Sequence, residues 1–262
     1  MLPYTSRSGG SPLWGWLRGV EPCQKPLAWC HTTDAFRLRE MIRKGEFAPS
    51  RCSVFDEDLI YFFYGRPAFR RNEETQLRQT AKAPIVVILS EDLPTYGCRM
   101  FPFDTGAFKE RYKDWVHRDM QLADFELECS SEAARRHVSA FFATNEHYLN
   151  LTPSIPNTPF VGDFEVESIV NLLTDPSANN ADDRRLAIEL QVGREIPFVS
   201  PFVLGLIVPD ELLQATWFDS FVAAHPQIEV LTYGLVSLRT AGHYQALMEE
   251  RAVSLQVGKG WI

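Results

Sequence analysis

The sequence predicts an α+β protein, with strands and helices mixed without strict alternation. Three observations carry this. Pro84-Ile-Val-Val-Ile-Leu89 is an unbroken, β-branched run, the pattern of a strand buried on both faces. Phe36, Leu38, Met41 and Ile42 form a helical stripe that stops at Gly45, with Thr33 or Asp34 placed to cap its start. Leu59 to Tyr64 is an aromatic strand, with Tyr61 and Phe63 on one face and Phe62 and Tyr64 on the other.

The remaining elements follow in order. Residues 1–25 contain Gly, Ser and Pro around Trp14 and Trp16, which predicts an irregular arm; residues 26–262 read as one domain. Leu27 to His31 reads as a short strand leading into the capped helix. Gly65-Arg66-Pro67 ends or bends the aromatic strand. Met100 to Gly106 has turn chemistry and reads as a loop, and residues 107–145 as helical. Three prolines in 150–163 favour an extended connection, followed by an amphipathic helix over Phe164 to Leu173 and a polar loop over 174–183. Arg184 to Val192 and Pro201 to Val208 read as strands. Pro209, with acids after it, opens a helix. Ile228 to Tyr233 is a strand, and Ala241 to Val253 a closing helix.

Composition narrows the class. The chain has 262 residues, 45% hydrophobic and 23% charged, enough for a sizeable core without staples. Its net charge of -8 argues against a broad basic face for nonspecific nucleic-acid binding, while Arg66, Arg70, Arg71 and Arg78 leave room for a local basic groove. Five cysteines, with no C-x-x-C pair, disfavour structural zinc and a disulfide framework and fit a reduced cytoplasm. No apolar stretch reaches membrane-spanning length, and no signal-peptide pattern opens the chain, so the expectation is a cytoplasmic, soluble protein without a metal.

Candidate functional residues come from three places. The run Asp56 to Arg70 packs two tyrosines, three phenylalanines and two arginines around Gly65-Arg66-Pro67. Aromatic faces suit a flat ring and Arg suits phosphate or carboxylate, although an ordinary buried aromatic strand has the same composition. His31 follows an apolar strand, where a hydrogen-bonded structural histidine is the common alternative. Glu189 lies within a strand, on the face of Ala187 and Gln191. It is either the solvent side of an amphipathic strand or a carboxylate held rigidly in a cleft. The G-x-S-x-G elbow, G-x-G-x-x-G and P-loop patterns are absent.

In this order, His31-Thr32-Thr33, Tyr61-Phe-Phe-Tyr64 and Glu189 resemble the ADP-ribosyltransferase superfamily, and within it the His-Tyr-Glu branch. The resemblance spans about residues 27–192. It implies a split β-sheet core with flanking helices, and NAD as substrate. It further implies that His31 bonds a ribose hydroxyl, that the strand-end backbone or Thr32 meets the nicotinamide amide, and that Tyr61 or Tyr64 stacks on the nicotinamide ring. Arg66 or Arg70 would take the pyrophosphate. Glu189 would be the catalytic residue, bonding the nicotinamide-side ribose and stabilising its oxocarbenium-like C1′ as nicotinamide leaves.

Two departures shape the expectation. Many members of that branch carry Gly where this chain has Thr32. Many protein-modifying relatives carry Gln or Glu where it has Ala187, which disfavours Arg-directed modification and leaves a nucleic acid or another macromolecular acceptor. Gln191, on the same face as Glu189, is a further candidate for acceptor choice. Similarity to toxin-like bacterial members implies a toxin–antitoxin or antiphage role, with a neutralising protein as partner. The alternatives are a non-catalytic nucleotide- or partner-binding module of the same fold, and an NAD glycohydrolase.

Overall fold

The computed structural model describes residues 4–7, 10–52, 54–68, 77, 79–155, 160–175, 183–236 and 239–262. The strands are β1 (Trp29–Asp34), β2 (Glu46–Phe47), β3 (Ser50–Cys52), β4 (Glu57–Tyr64), β5 (Pro84–Leu89), β6 (Arg99–Phe101), β7 (Glu189–Val192), β8 (Ile196–Pro197), β9 (Val203–Pro209) and β10 (Glu229–Tyr233). The helices are α1 (Pro12–Leu17), α2 (Ala35–Lys44), α3 (Phe108–Arg111), α4 (Ser131–Phe142), α5 (Asn145–Leu149), α6 (Phe164–Thr174), α7 (Thr216–Ala224) and α8 (Gln245–Gly258). The class is α+β, as the sequence predicts.

The main sheet runs β10-β9-β5-β1-β4-β7-β6, with β3 added on β4, while β2 and β8 form a separate pair. Among the described residues every pairing is antiparallel except β9 with β10. β5, apolar on both faces, sits between β1 and β9 and is buried along its whole length. One sheet face packs Trp29, Ile60, Phe62, Tyr64 and Leu190 into the main core. On the opposite face, Tyr244, Met248 and Leu255, the last two from α8, cover Cys30, Val86 and Ile88. Gly205 lets α8 come close: a Cβ there would lie 2.5 Å from Leu255 Cδ1.

The sheet parts between β1 and β4. β1 pairs with β5 along its full length, from Trp29↔Leu89 to Asp34↔Pro84. Against β4 its register holds only at Trp29↔Tyr64 and Cys30↔Phe63. From Phe62 back to Glu57, β4 no longer pairs with β1; it holds β7 on its other edge from Phe63 to Ile60, and β3 from Leu59 to Glu57. The result is a V-shaped opening, with β1 as one lip and β4 as the other.

Several elements differ from expectation. The N-terminal arm contains α1, whose start is capped by Ser11 Oγ accepting from Trp14 N (2.9 Å), and Leu13, Trp14 and Leu17 enter the main core. The loop read over Met100 to Gly106 begins instead inside β6, short and held between β7 and Leu127. Residues 107–145 are not continuously helical; irregular chain and a single 3-10 turn separate α3 from α4. The strand read from Arg184 starts only at Glu189, because Asp183–Leu186 forms a 3-10 turn. In α2, Asp34 is the cap, accepting from Arg37 N (2.8 Å), and Gly45 closes the helix at φ +74. Phe36 leaves the expected apolar stripe and is exposed, with the Arg39 guanidinium over its ring.

Candidate active site

The opening between β1 and β4 is a cleft of about 410 Å³. His31, Thr32 and Thr33 line it from β1, and Leu59, Ile60, Tyr61 and Phe63 from β4. Arg37, Glu40, Met41 and Lys44 of α2 line it too, with Glu46 and Ser50 beyond.

His31 bridges the two lips. Its Nδ1 lies 2.9 Å from the carbonyl oxygen of Tyr61. A carbonyl only accepts, so Nδ1 carries the proton and Nε2 is left as an acceptor. The ring packs against Phe47 and Phe62. Burial pushes its pKa down to about 4, so it is neutral at physiological pH.

Thr32 offers its main chain to the cleft. In an antiparallel ladder, successive residues present their N–H and C=O to opposite sides. Cys30 faces β4 in the last β1–β4 pair, and the carbonyl of Ala28 accepts from Gly65 N on that same side (2.7 Å). By alternation the Thr32 N–H and C=O point the same way, where the β1–β4 ladder has ended. The buried hydroxyls of Thr32 and Thr33 have no hydrogen-bond partner among the described residues.

Tyr61 is half-buried on the other lip, and its hydroxyl lies 2.7 Å from Cys52 Sγ. Burial raises its pKa above the ordinary tyrosine value, with the neighbouring Cys52 and Glu189 adding to the rise. Tyr64, by contrast, is fully buried away from the cleft, packed against Trp29 and Tyr148, and its hydroxyl accepts from Leu27 N (2.8 Å).

Glu189 does not line the cleft. It lies on the adjacent strand, paired in register with Phe63 and Phe101, and is 1% exposed. Neither placement read from the sequence holds: the carboxylate faces neither solvent nor the cleft, because this face of β7 is closed over. Oε1 accepts from Thr105 Oγ1 (2.7 Å) and Gln191 Nε2 (2.7 Å), and Oε2 from Thr105 N (3.2 Å). Burial, with the nearby Asp104 carboxylate adding to it, pushes the Glu189 pKa up to about 8, against the lowering effect of these donors. The side chains of His31 and Glu189 lie on opposite faces of the sheet, and Tyr61 shares the Glu189 face.

Of the arginines singled out in the sequence, Arg66 is buried and ion-paired with Glu249 of α8 (3.5 Å), outside the cleft lining. Arg70 lies outside the described residues, as do Arg71 and Arg78. The cations that do line the cleft, Arg37 and Lys44, were missed. Their signal was the i, i+7 spacing that places both on one face of α2, together with Glu40 and Met41.

No protein-family model matches the chain, and no curated protein matches it. Among solved structures, the chain is similar to DarT of Thermus sp. 2.9 in complex with NAD+, at 10% sequence identity and a TM-score of 0.43, over 80% of this chain and 97% of that one. Likeness at that level leaves function to the geometry of the site.

Proposed function

We propose that this protein is an NAD-dependent mono-ADP-ribosyltransferase, with the β1–β4 cleft as its NAD site. The observation that carries the reading is the parting of the two strands. It leaves an acceptor nitrogen on His31 and an unpaired strand edge at Thr32 on one lip, with the Tyr61 ring on the other. A ribose hydroxyl is a donor suited to His31 Nε2. A carboxamide carries one donor and one acceptor group, the complement of the Thr32 C=O and N–H. Tyr61 provides an aromatic face where Tyr64 is sealed in the core. Arg37 and Lys44 supply positive charge for a diphosphate.

In this reaction the bond from C1′ to the nicotinamide nitrogen breaks and its electron pair leaves with nicotinamide. Positive charge develops at C1′. Glu189, on the strand beside the cleft rather than in its lining, is the carboxylate proposed to stabilise that charge when ionised, acting through the cleft wall rather than by contact. An acceptor nucleophile then bonds C1′ and loses its proton. Ala187 is buried and carries no group to orient an acceptor, which favours a nucleic acid over protein arginine. A toxin–antitoxin or antiphage role in the cytoplasm, with a neutralising partner, rests on the resemblance alone. A second reading, a non-catalytic binding module, is favoured by one observation: both Glu189 oxygens are already engaged inside the protein.

The test is transfer of label from adenine-labelled NAD to DNA, RNA or protein offered separately to the purified chain. Label on nucleic acid supports the full reading. Label on protein arginine refutes the acceptor choice, and nicotinamide release without label on any acceptor makes the protein a glycohydrolase.

A further inference from the structure

The Glu189 carboxylate sits at the end of a hydrogen-bonded relay that the proposed chemistry does not by itself require. Arg99 on β6 lies directly across from Gln191 on β7. Its Nε donates to Gln191 Oε1 (2.8 Å), while Nη1 and Nη2 grip both oxygens of Glu57 (3.2 and 2.7 Å). The guanidinium is further held over the rings of Tyr4 and Phe55, 4.9 and 4.5 Å from their centroids. With Oε1 committed to Arg99, Gln191 must turn Nε2 the other way, and it donates to Glu189 Oε1 (2.7 Å) and Thr105 Oγ1 (3.1 Å). A flipped amide would set NH₂ against a guanidinium and a carbonyl against a carboxylate, two repulsive contacts. Arg99 and Gln191 are both buried, so neither orientation has water to rescue it.

We infer that Arg99 and Gln191 are positioning residues for Glu189: Arg99 fixes the Gln191 amide, and the amide holds the carboxylate in one rotamer. The inference rests on the transferase reading only for its consequence in catalysis. Besides Gln191 and Thr105, the charged and titratable groups around Glu189 are Asp104, paired with Arg184 (3.0 Å), Tyr61 on β4, and Arg99 and Glu57 at the far end of the relay. Arg184 and Glu57 are thus each engaged with another charge, and Gln191 is the amide donor aimed at Glu189. Gln191 thereby also favours the ionised carboxylate against burial and Asp104.

The experiment titrates Glu189 in the 262-residue chain by NMR of ¹³C-carboxyl-labelled glutamate, assigning the signal by its loss in Glu189→Gln. In Gln191→Met, close in volume but without the donor, the midpoint is expected to rise by about one pH unit. Arg99→Lys keeps the charge beside Glu57 but lacks the Nε–H that orients the amide. It is expected to shift the midpoint the same way by less, and it keeps the test open if Gln191→Met does not fold. The pH profile of nicotinamide release is expected to move with the midpoint. Midpoints unchanged in the folded variants overturn the inference. Shifted midpoints in a chain that releases no nicotinamide uphold the positioning and count against the transferase reading instead.

Discussion

His31 donates its Nδ1–H to the main-chain carbonyl of Tyr61 across the gap where β1 and β4 separate (2.9 Å). The bond does two things. It ties the lips of the cleft together where the ladder has ended, and it fixes the tautomer that leaves Nε2 as an acceptor. The second depends on a neutral ring, which burial secures.

That neutrality has a cost in acid. The His31 pKa is pushed down to about 4, and that of His137, buried with neither ring nitrogen hydrogen-bonded among the described residues, to about 3. The unfolded chain takes up these protons near the ordinary histidine value of about 6.5. It therefore binds more protons than the folded state below that value, and stability falls as pH drops from about 6.5 towards the folded values. His137→Leu removes an unsatisfied ring between Phe141 and Phe142. It is expected to stabilise the protein by about 1 kcal/mol and to flatten the acid limb, measured by urea unfolding across that range. An unchanged limb contradicts this account of acid sensitivity.

On the proposed reading, Tyr61 and Tyr64 are expected to separate NAD binding from stability. Tyr61→Ala is expected to weaken NAD binding about tenfold through loss of ring stacking, measured by calorimetry under conditions where the variant is folded. This comes on top of the stability lost from its packing on Phe55, Leu59 and Phe101. Tyr64→Phe strands the Leu27 N–H and is expected to cost about 1–3 kcal/mol of stability, with NAD affinity intact. Reversed effects would place the ring contact at the wrong tyrosine.

The arginines divide in the same way. Arg37→Ala and Lys44→Ala are each expected to raise the KM for NAD several-fold, an effect that weakens with added salt because both lie at the solvent-facing side of α2. Arg66→Ala is expected instead to lower the melting temperature, since it removes a buried charge paired with Glu249. Equal KM effects for Arg66 and Arg37 would contradict the assignment of the cleft cations.

Ser11→Ala tests whether the N-terminal segment belongs to the core. It deletes the cap of α1 and the bond from Ser11 Oγ to the Glu126 carbonyl (2.6 Å). A loss of about 1 kcal/mol in global unfolding is expected. No loss would mean that α1 frays independently of the rest.

What could be read in the sequence follows from how local the cause was. Pro84 to Leu89 and the aromatic strand ending at Tyr64 declare themselves by side-chain pattern, and α2 by Asp34 and Gly45 at its ends. Helix α1 also had a local signal, the Ser11-Pro12 cap, which the surrounding glycines obscured. β6 had none: Arg99-Met-Phe101 lacks a β-branched residue, and its extended form depends on β7 and Leu127, both brought in from a distance. Burial of Glu189 was equally hidden, because Thr105 and the Arg99–Gln191 pair reach it only through the sheet register. That Tyr61 reaches the cleft while Tyr64 is sealed in the core depends on where the β1–β4 pairing ends. Ring composition alone could not supply that.

The most direct test of the central claim is nicotinamide release from NAD by the wild-type chain and by Glu189→Gln, followed from pH 6 to 9 beside a measurement of NAD affinity. Because burial and Asp104 push the Glu189 pKa up to about 8, release by the wild type should climb through that range as the carboxylate ionises. In Glu189→Gln release should fall by a factor on the order of a thousand, with NAD affinity retained. Equal release by the two proteins, or NAD binding without release by a folded wild type, would contradict the claim that this cleft performs ADP-ribosyl transfer.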